Sequence, residues 1–419
     1  MLTAMPAGPA YLLPAETGCR RELETALTGA FAAWGYTEII TPAVESLEVL
    51  QPGMSPKLLR QSCKFLDAQG RILLLRPDLT TPVAYLAATR LFRLPRPYRL
   101  SYCADVFRAE GQTGLRQAGV ELMGAAGEMA DTEVLSLAVA GLEAAGSPEY
   151  RIGVGHAGFI EGVLEEAGVA ETTADKIRQA LNRRDFVACR EICRDLTAPP
   201  AVRELLLGLP TWQGGIDVLA RVSALTRNRR AREALECLEV VYRGAAGSSR
   251  SANLYLDLSL VRDLDYYTGI VFEAYAHGLG RPILGGGRYD NLAEKFGTAM
   301  PAVGFAVAID LLLTARQQSG DAAPAEKCGC LIVPASGRES EAMLLAAAMR
   351  QNGGRVETEI TGRAPEAARE YARQRGIEKI IFLGGDGETI AEEISSGIPA
   401  ADGAWAVSSL FGRDAAEWR

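Results

Sequence analysis

Histidine is scarce in this chain: His156 and His277 are the only two. Eight cysteines are scattered along it (Cys19, Cys63, Cys103, Cys189, Cys193, Cys237, Cys328 and Cys330), but no Cys-x-x-Cys pair occurs. These absences leave little material for a Cys/His zinc site. Cys189 and Cys193, four apart on an expected helix, are the one pairing with metal-ligand spacing; reduced cysteines of a cytosolic protein account for them more simply. No basic stretch followed by an apolar core opens the chain, and no apolar run reaches membrane-spanning length, so a cytoplasmic protein is expected. A basic surplus is missing too. Lys+Arg 44 against Asp+Glu 52 gives a net charge of −8 and a pI near 5.2, which speaks against a broad RNA-binding surface. No internal repeat is apparent.

What is present points to a folded protein of more than one domain. At 419 residues the chain exceeds what one core usually covers, and 48% hydrophobic content is ordinary for a globular protein. Leu23, Leu27, Phe31 and Trp34 recur at helical spacing, so Glu16 to Trp34 is expected as an amphipathic helix ended by Gly35. Tyr36 to Glu45 is expected as a strand, with Pro42 marking an edge or interface. Lys64 to Asp67 and Arg71 to Leu75 form an expected hairpin about Gln69-Gly70. The run Arg76-Pro77-Asp78-Leu79-Thr80-Thr81-Pro82 opens a helix through Arg90, and Tyr98 to Phe107 and Gly119 to Met123 are expected strands bracketing a loop. From about Gly158 to Arg243 the pattern is helical. Strands return at Ala252 to Tyr275. Gly285-Gly286-Gly287 reads as a tight turn or a close approach of backbone to a ligand. Ser319 to Lys327 has linker composition, and beyond it β and α segments alternate as in a small parallel α/β domain.

The stretch Leu260-Val261-Arg262-Asp263-Leu264-Asp265-Tyr266-Tyr267-Thr268-Gly269-Ile270-Val271-Phe272-Glu273 carries the most chemistry. An Arg, two Asp and two Tyr interrupt a buried-looking β segment, where an unpaired charge is costly. Such a cluster suits a polar pocket for a small molecule with both a charge and a ring: Arg262 for a carboxylate, Tyr266 and Tyr267 for a side chain. This stretch resembles the histidine-specific motif of the histidyl-tRNA synthetases and their non-catalytic paralogues. Glu16 to Glu45 resembles motif 1 of the class II synthetases. Val106-Phe107-Arg108-Ala109-Glu110 with Gln117-Ala118-Gly119-Val120-Glu121-Leu122 resembles motif 2, and Pro301 to Leu313 resembles motif 3.

The resemblance implies roles for individual residues. Asp78 and Thr80, which on general grounds are a helix cap, match residues contacting the amino group of histidine. Arg108 matches the arginine on the ATP α-phosphate and amino acid carboxylate. Gln117 and Glu121 match residues holding the histidine amino group and ring. Arg262 matches a cationic catalyst of adenylation, Tyr266 and Tyr267 match imidazole contacts, and Tyr289 lines the ring pocket. A Gly-His pair at Gly155-His156 supports membership; His156 itself reads as a helix-start or strand-end residue. Two departures concern ATP. The loop between Glu110 and Gln117 is short and keeps only Arg116 as a basic residue, and Leu311 stands where motif 3 has the arginine for the γ-phosphate. Leucine offers neither donor nor charge, and loss of such a charge stabiliser costs several orders of magnitude in phosphoryl chemistry. Ala308, in place of a glycine, narrows the adenine site.

The implied fold class is α+β. It comprises a class II aminoacyl-tRNA synthetase-like antiparallel sheet core over 1–318 with a helical insertion at about 158–245, a linker at 319–327, and an anticodon-binding-like α/β domain at 328–419. The family best matched is the ATP phosphoribosyltransferase regulatory subunit. Its resemblance implies a non-catalytic homodimer within a hetero-oligomer. Such a subunit binds L-histidine, partners a short-form ATP phosphoribosyltransferase catalytic subunit and transmits feedback inhibition in the first step of histidine biosynthesis. No cofactor or metal is implied, and tRNA is not an expected partner. The alternatives are an active histidine–tRNA ligase, which the C-terminal domain keeps open, and a non-catalytic tRNA-binding module.

Overall fold

The computed structural model describes residues 11–109, 114–147, 149–247, 253–261, 267–319 and 328–394. The chain divides into two compact units, Met1–Ala322 and Ala323–Arg419.

The first unit is built on a nine-stranded sheet. Its strands are β1 (Thr37–Glu38), β5 (Tyr98–Phe107), β6 (Gly114–Met123), β7 (Tyr150–His156), β8 (Gln213–Gly214), β9 (Leu254–Asp257), β10 (Ile270–Ala276), β11 (Leu284–Arg288) and β12 (Ala302–Ala308). They lie in the order β1-β5-β6-β12-β11-β10-β7-β9-β8. The six central strands from β5 to β7 are mutually antiparallel, while β1 and β9 join them in parallel. A second sheet of β2 (Val44–Ser46), β3 (Lys64–Leu66) and β4 (Ile72–Leu75) contains the expected hairpin, its turn tied by Asp67, which accepts from the amides of Gln69 and Arg71. The expected strand Tyr36 to Glu45 is not continuous. Pro42 lies between β1 and β2, and lacking an N–H it cannot extend a ladder through them.

Side chains alternate across the large sheet, giving it two dissimilar faces. One face is apolar. Phe305, Val307, Val120, Leu122 and Phe272 point to it, and helix α1 (Pro14–Ala33) presents Leu23, Leu27 and Phe31 at i, i+4, i+8. Phe305 stacks edge-on against both Phe31 and Phe272, with centroids 5.7 and 6.3 Å away. Helices α5 (Glu128–Ala144) and α12 (Ile309–Gln318) lie against α1. The other face carries Glu121, Gly119, Tyr102 and Gly304. Helix α4 (Thr80–Leu86) covers its β5 side through Leu79, Val83, Ala84 and Ala87.

Two short helices, α2 (Leu47–Leu50) and α3 (Pro56–Gln61), flank the small sheet. The insertion is helical as expected: α6 (Ala157–Glu166), α7 (Glu171–Asn182), α8 (Phe186–Arg194), α9 (Pro200–Gly208), α10 (Asp217–Ser223) and α11 (Arg229–Ala246). His156 ends β7 and caps α6, its Nδ1 accepting from Gly158 N at 3.0 Å. Buried there, and near Arg230 and Arg288, its imidazole is pushed down to a pKa of about 4. The glycine run corrects the reading of a turn. Gly285 to Gly287 lie within β11, paired to β10 on one side and β12 on the other.

The second unit has β13 (Cys330–Pro334), α13 (Glu339–Gln351), β14 (Val356–Thr358), α14 (Pro365–Arg375) and β15 (Lys379–Leu383), as the alternation predicts, plus an edge strand β16 (Thr389–Glu393) that it does not. The order is β14-β13-β15-β16, parallel except for β16.

Candidate functional site

Glu121 is the centre of the polar face. It sits on β6 opposite Gly304 of β12, and a methyl group on Gly304 would overlap its carboxylate. The absent side chain therefore lets Glu121 lie down on the sheet. There it is 1% exposed and accepts three hydroxyl hydrogen bonds. Thr80 Oγ1 donates to Oε1 at 2.8 Å, Tyr102 OH donates to Oε1 at 3.1 Å, and Tyr289 OH donates to Oε2. Burial drives its pKa up, the three donors pull it back, and the balance is a carboxyl at about 7.

Asp78 supplies a second carboxylate. Its Oδ2 caps α4, accepting from Thr81 N at 3.0 Å and Thr81 Oγ1 at 2.7 Å. The cap reading is therefore correct, and it uses only half of the group. Although the residue is only half-buried, Oδ1 is shut off from solvent and has no hydrogen-bond partner. Burial raises the Asp78 pKa, against the Thr81 bonds and the Arg108 charge. The like charge of Asp78 also adds to the rise at Glu121. An orphaned buried acceptor beside a second carboxylate is an arrangement that a cation or N–H donor completes.

The aromatic wall comes from three strands or their ends. Tyr289 follows β11 and is held from both sides. Its own N–H donates to Ala302 O at 2.8 Å, Arg288 before it pairs with Asp131 of α5 at 2.7 Å, and Asp290 after it accepts from Ala302 N at 3.1 Å. Tyr267 packs on the same cluster, its ring lying where a side chain on Gly287 would be. Tyr102 lies over Gly119 in the same manner. The sequence does not single out Tyr102; the visible signal is an aromatic on β5 directly across from a glycine on β6.

Of the expected site residues, the structure brings Asp78, Thr80, Glu121, Tyr267 and Tyr289 into one neighbourhood. Arg108 joins through its charge on Asp78 and donates from Nε to Pro77 O at 3.2 Å. Gln117 shares the face of Glu121 four residues away, between Ala104 and Ala308. Arg262 and Tyr266 lie outside the described residues. Arg116 is on the opposite face of β6. It donates to Glu24 of α1 at 2.8 Å and approaches Asp105 at 3.4 Å, while its backbone N–H donates to Asp310 at 2.7 Å. Leu311 is half-buried in the first turn of α12. Among the described residues no group of three or more His, Cys, Asp or Glu is placed to hold a metal ion.

The chain is similar to known proteins over most of its length. The family profile described as Histidyl-tRNA synthetase matches residues 8–312. The ATP phosphoribosyltransferase regulatory subunit of Symbiobacterium thermophilum is 41% identical over 389 residues, covering 91% of this chain and 97% of that protein. The same-named protein of Moorella thermoacetica is 39% identical over 379 residues, covering 89% and 96%. A solved Bacillus halodurans structure described as an ATP phosphoribosyltransferase regulatory subunit/histidyl-tRNA synthetase superposes with a TM-score of 0.81. It is 30% identical and covers 91% of this chain and 98% of its own. Histidyl-tRNA synthetase from Nostoc sp. PCC 7120 shares the fold, at a TM-score of 0.80 and 22% identity over 94% of this chain and 97% of its own.

Proposed function

The chain belongs to the family of ATP phosphoribosyltransferase regulatory subunits, on the histidyl-tRNA synthetase fold, and from that premise we propose that it binds L-histidine between Asp78 and Glu121 and relays feedback inhibition to a short-form catalytic partner. The observation that carries this reading is the pair of buried carboxylates, one with an orphaned oxygen, beneath Tyr102, Tyr267 and Tyr289. The α-ammonium of histidine completes Asp78 Oδ1, and the imidazole N–H meets Glu121 and the Tyr289 hydroxyl. Arg108 and Arg262 are assigned to the carboxylate, Gln117 to the amino group, and Tyr266 and Tyr267 to the ring. In physical terms the subunit couples two sites, because histidine favours one state of the assembly over another.

The reading is of a non-enzyme, and two features support it. The remaining loop arginine, Arg116, is engaged with Glu24 and Asp105 on the helix side of the sheet. Leu311 brings no charge to the position expected to hold a γ-phosphate. The reading leaves out tRNA, and the described residues of the C-terminal unit support this. Phosphate contacts need cations that can exchange counterions, yet Arg338, Arg363, Arg369, Arg373, Arg375 and Lys379 each face a carboxylate of the same unit.

Calorimetry on the purified chain, titrated with histidine and with ATP separately, is expected to show saturable heat for the first and none for the second. Histidine-dependent ATP–pyrophosphate exchange above background would overturn the reading in favour of a histidine–tRNA ligase. Mixed with a short-form phosphoribosyltransferase, the chain is expected to activate it and make it histidine-sensitive. Asp78→Asn leaves the cap oxygen and removes the charge facing the ammonium, so histidine affinity is expected to fall about 10- to 100-fold with little change in melting temperature. Unchanged affinity in that variant would dismiss the assignment of Asp78.

A further inference from the structure

The helical insertion sends one charged side chain back onto the polar face of the sheet. Helix α7 ends at Asn182, and two residues later Arg184 adopts φ +56°. Among the described residues it is the only non-glycine with positive φ. A side chain is disfavoured there relative to glycine. The turn closes through Arg184 N to Leu181 O and Asp185 N to Ala180 O, both at 2.9 Å, bonds that glycine would make equally well. The reason for arginine lies in its guanidinium.

Nη1 donates to Asp257 Oδ2 at 2.8 Å, and Nη2 lies 3.7 Å from Glu273 Oε2. Both carboxylates are buried, at 0% and 7% exposure. They belong to β9 and β10, which are not neighbours: β7 runs between them, so the guanidinium joins two strands that share no ladder. Tyr275 OH also donates to Glu273, at 2.6 Å. The other oxygen of Asp257 accepts from Ser259 N at 3.0 Å and Ser259 Oγ at 2.6 Å, fixing the turn that ends β9. Leu260 and Val261 follow, both buried, and in sequence they lead into Arg262. Leu260 packs with Ala157, Val271 and Tyr267, and Tyr267 packs on the cluster that contains Tyr102 and Tyr289.

We propose that Arg184 is a positioning residue of the ligand pocket: it clamps the turn from Asp257 to Ser259, sets where Leu260 and Tyr267 stand, and ties pocket occupancy to the helical insertion. The proposal rests on the histidine reading given above. Linkage makes the tie reciprocal. If the clamp helps to form the pocket, histidine tightens the clamp, and helices α7 and α8 become better protected when histidine binds.

The test is calorimetry with L-histidine on the full chain, with amide exchange of α7 and α8 measured with and without histidine. Arg184→Gly suits the left-handed backbone, so it removes the guanidinium without adding strain. Asp257→Asn keeps the Ser259 bonds and removes the charge, and serves as an independent second variant. Each is expected to weaken histidine about tenfold. The double variant is expected to be no weaker than Arg184→Gly alone, because both remove one interaction. Arg184→Lys should restore part of the loss. Histidine should slow exchange in α7 and α8 of the unsubstituted protein and not of Arg184→Gly. Affinities within about twofold of the unsubstituted protein in both single variants would overturn the proposal, as would equal protection of α7 and α8 in Arg184→Gly. Absence of histidine binding by the unsubstituted protein would instead overturn the reading on which the proposal rests.

Discussion

Glu121→Gln is expected to weaken histidine binding by about 100-fold or more while making the unliganded protein more stable at pH 8. Both effects come from one buried charge. The Glu121 carboxyl titrates at about 7 in the folded chain against an ordinary 4.5, because burial outweighs its three hydroxyl donors. Unfolded chains therefore ionise this group first. Its contribution to stability is complete below about pH 4.5 and is lost as pH rises through 7, a difference of about 3 kcal/mol. Glutamine has no such loss, so the variant should melt at nearly the same temperature at pH 5 and pH 8 as far as this group is concerned. In the unsubstituted protein, saturating histidine should recover most of the high-pH loss. Protons compete with the ligand for the same carboxylate, so affinity should fall about tenfold per pH unit below 7. Calorimetry and melting scans at pH 5 to 8 measure all of this; a Gln variant that keeps histidine affinity would end the assignment of Glu121.

Gly304→Ala is expected to abolish histidine binding and to lower stability by about 1–3 kcal/mol. The added methyl would fall on the Glu121 carboxylate and against Val120 O of the same strand. The side chain must then lift off the sheet, giving up the hydroxyls of Thr80, Tyr102 and Tyr289 together. Gly29→Ala is the control: it lies exposed in α1 with open space around it, and should stabilise by up to about 1 kcal/mol. A Gly304→Ala protein with normal histidine affinity would show that Glu121 does not need its place on the sheet.

Much of the fold follows directly from pattern. Leu23, Leu27 and Phe31 fall at helical spacing because α1 buries one side, and Tyr98 to Phe107 is a strand from end to end. Helix α5 is invisible to periodicity, since its buried positions wrap nearly all the way round it between α1 and α11. Gly285 to Gly287 read as a turn because glycine favours turns locally; only the partner strands reveal that they are a strand, with Gly287 the floor on which Tyr267 lies. The candidate site was legible through the family resemblance, which marks Asp78, Thr80 and Glu121; by residue type alone Asp78 and Thr80 read as a helix cap and Glu121 as a strand position. Tyr102 and Gly304 were not, because their roles depend on which residue stands across the ladder.

The buried carboxylates of the pocket also bear on how long the subunit lasts. A protein whose empty site holds unneutralised charge opens more often than the same protein with its ligand, and proteases act on what opens. On the histidine reading, a hundredfold excess of histidine over its dissociation constant stabilises the protein by about 2.7 kcal/mol and lowers the opened fraction about a hundredfold. The amino acid that silences the pathway would then also preserve the protein that reports it. Starvation would thin the pool of regulatory subunits as well as empty their pockets, so supply would set the abundance of the sensor along with its state.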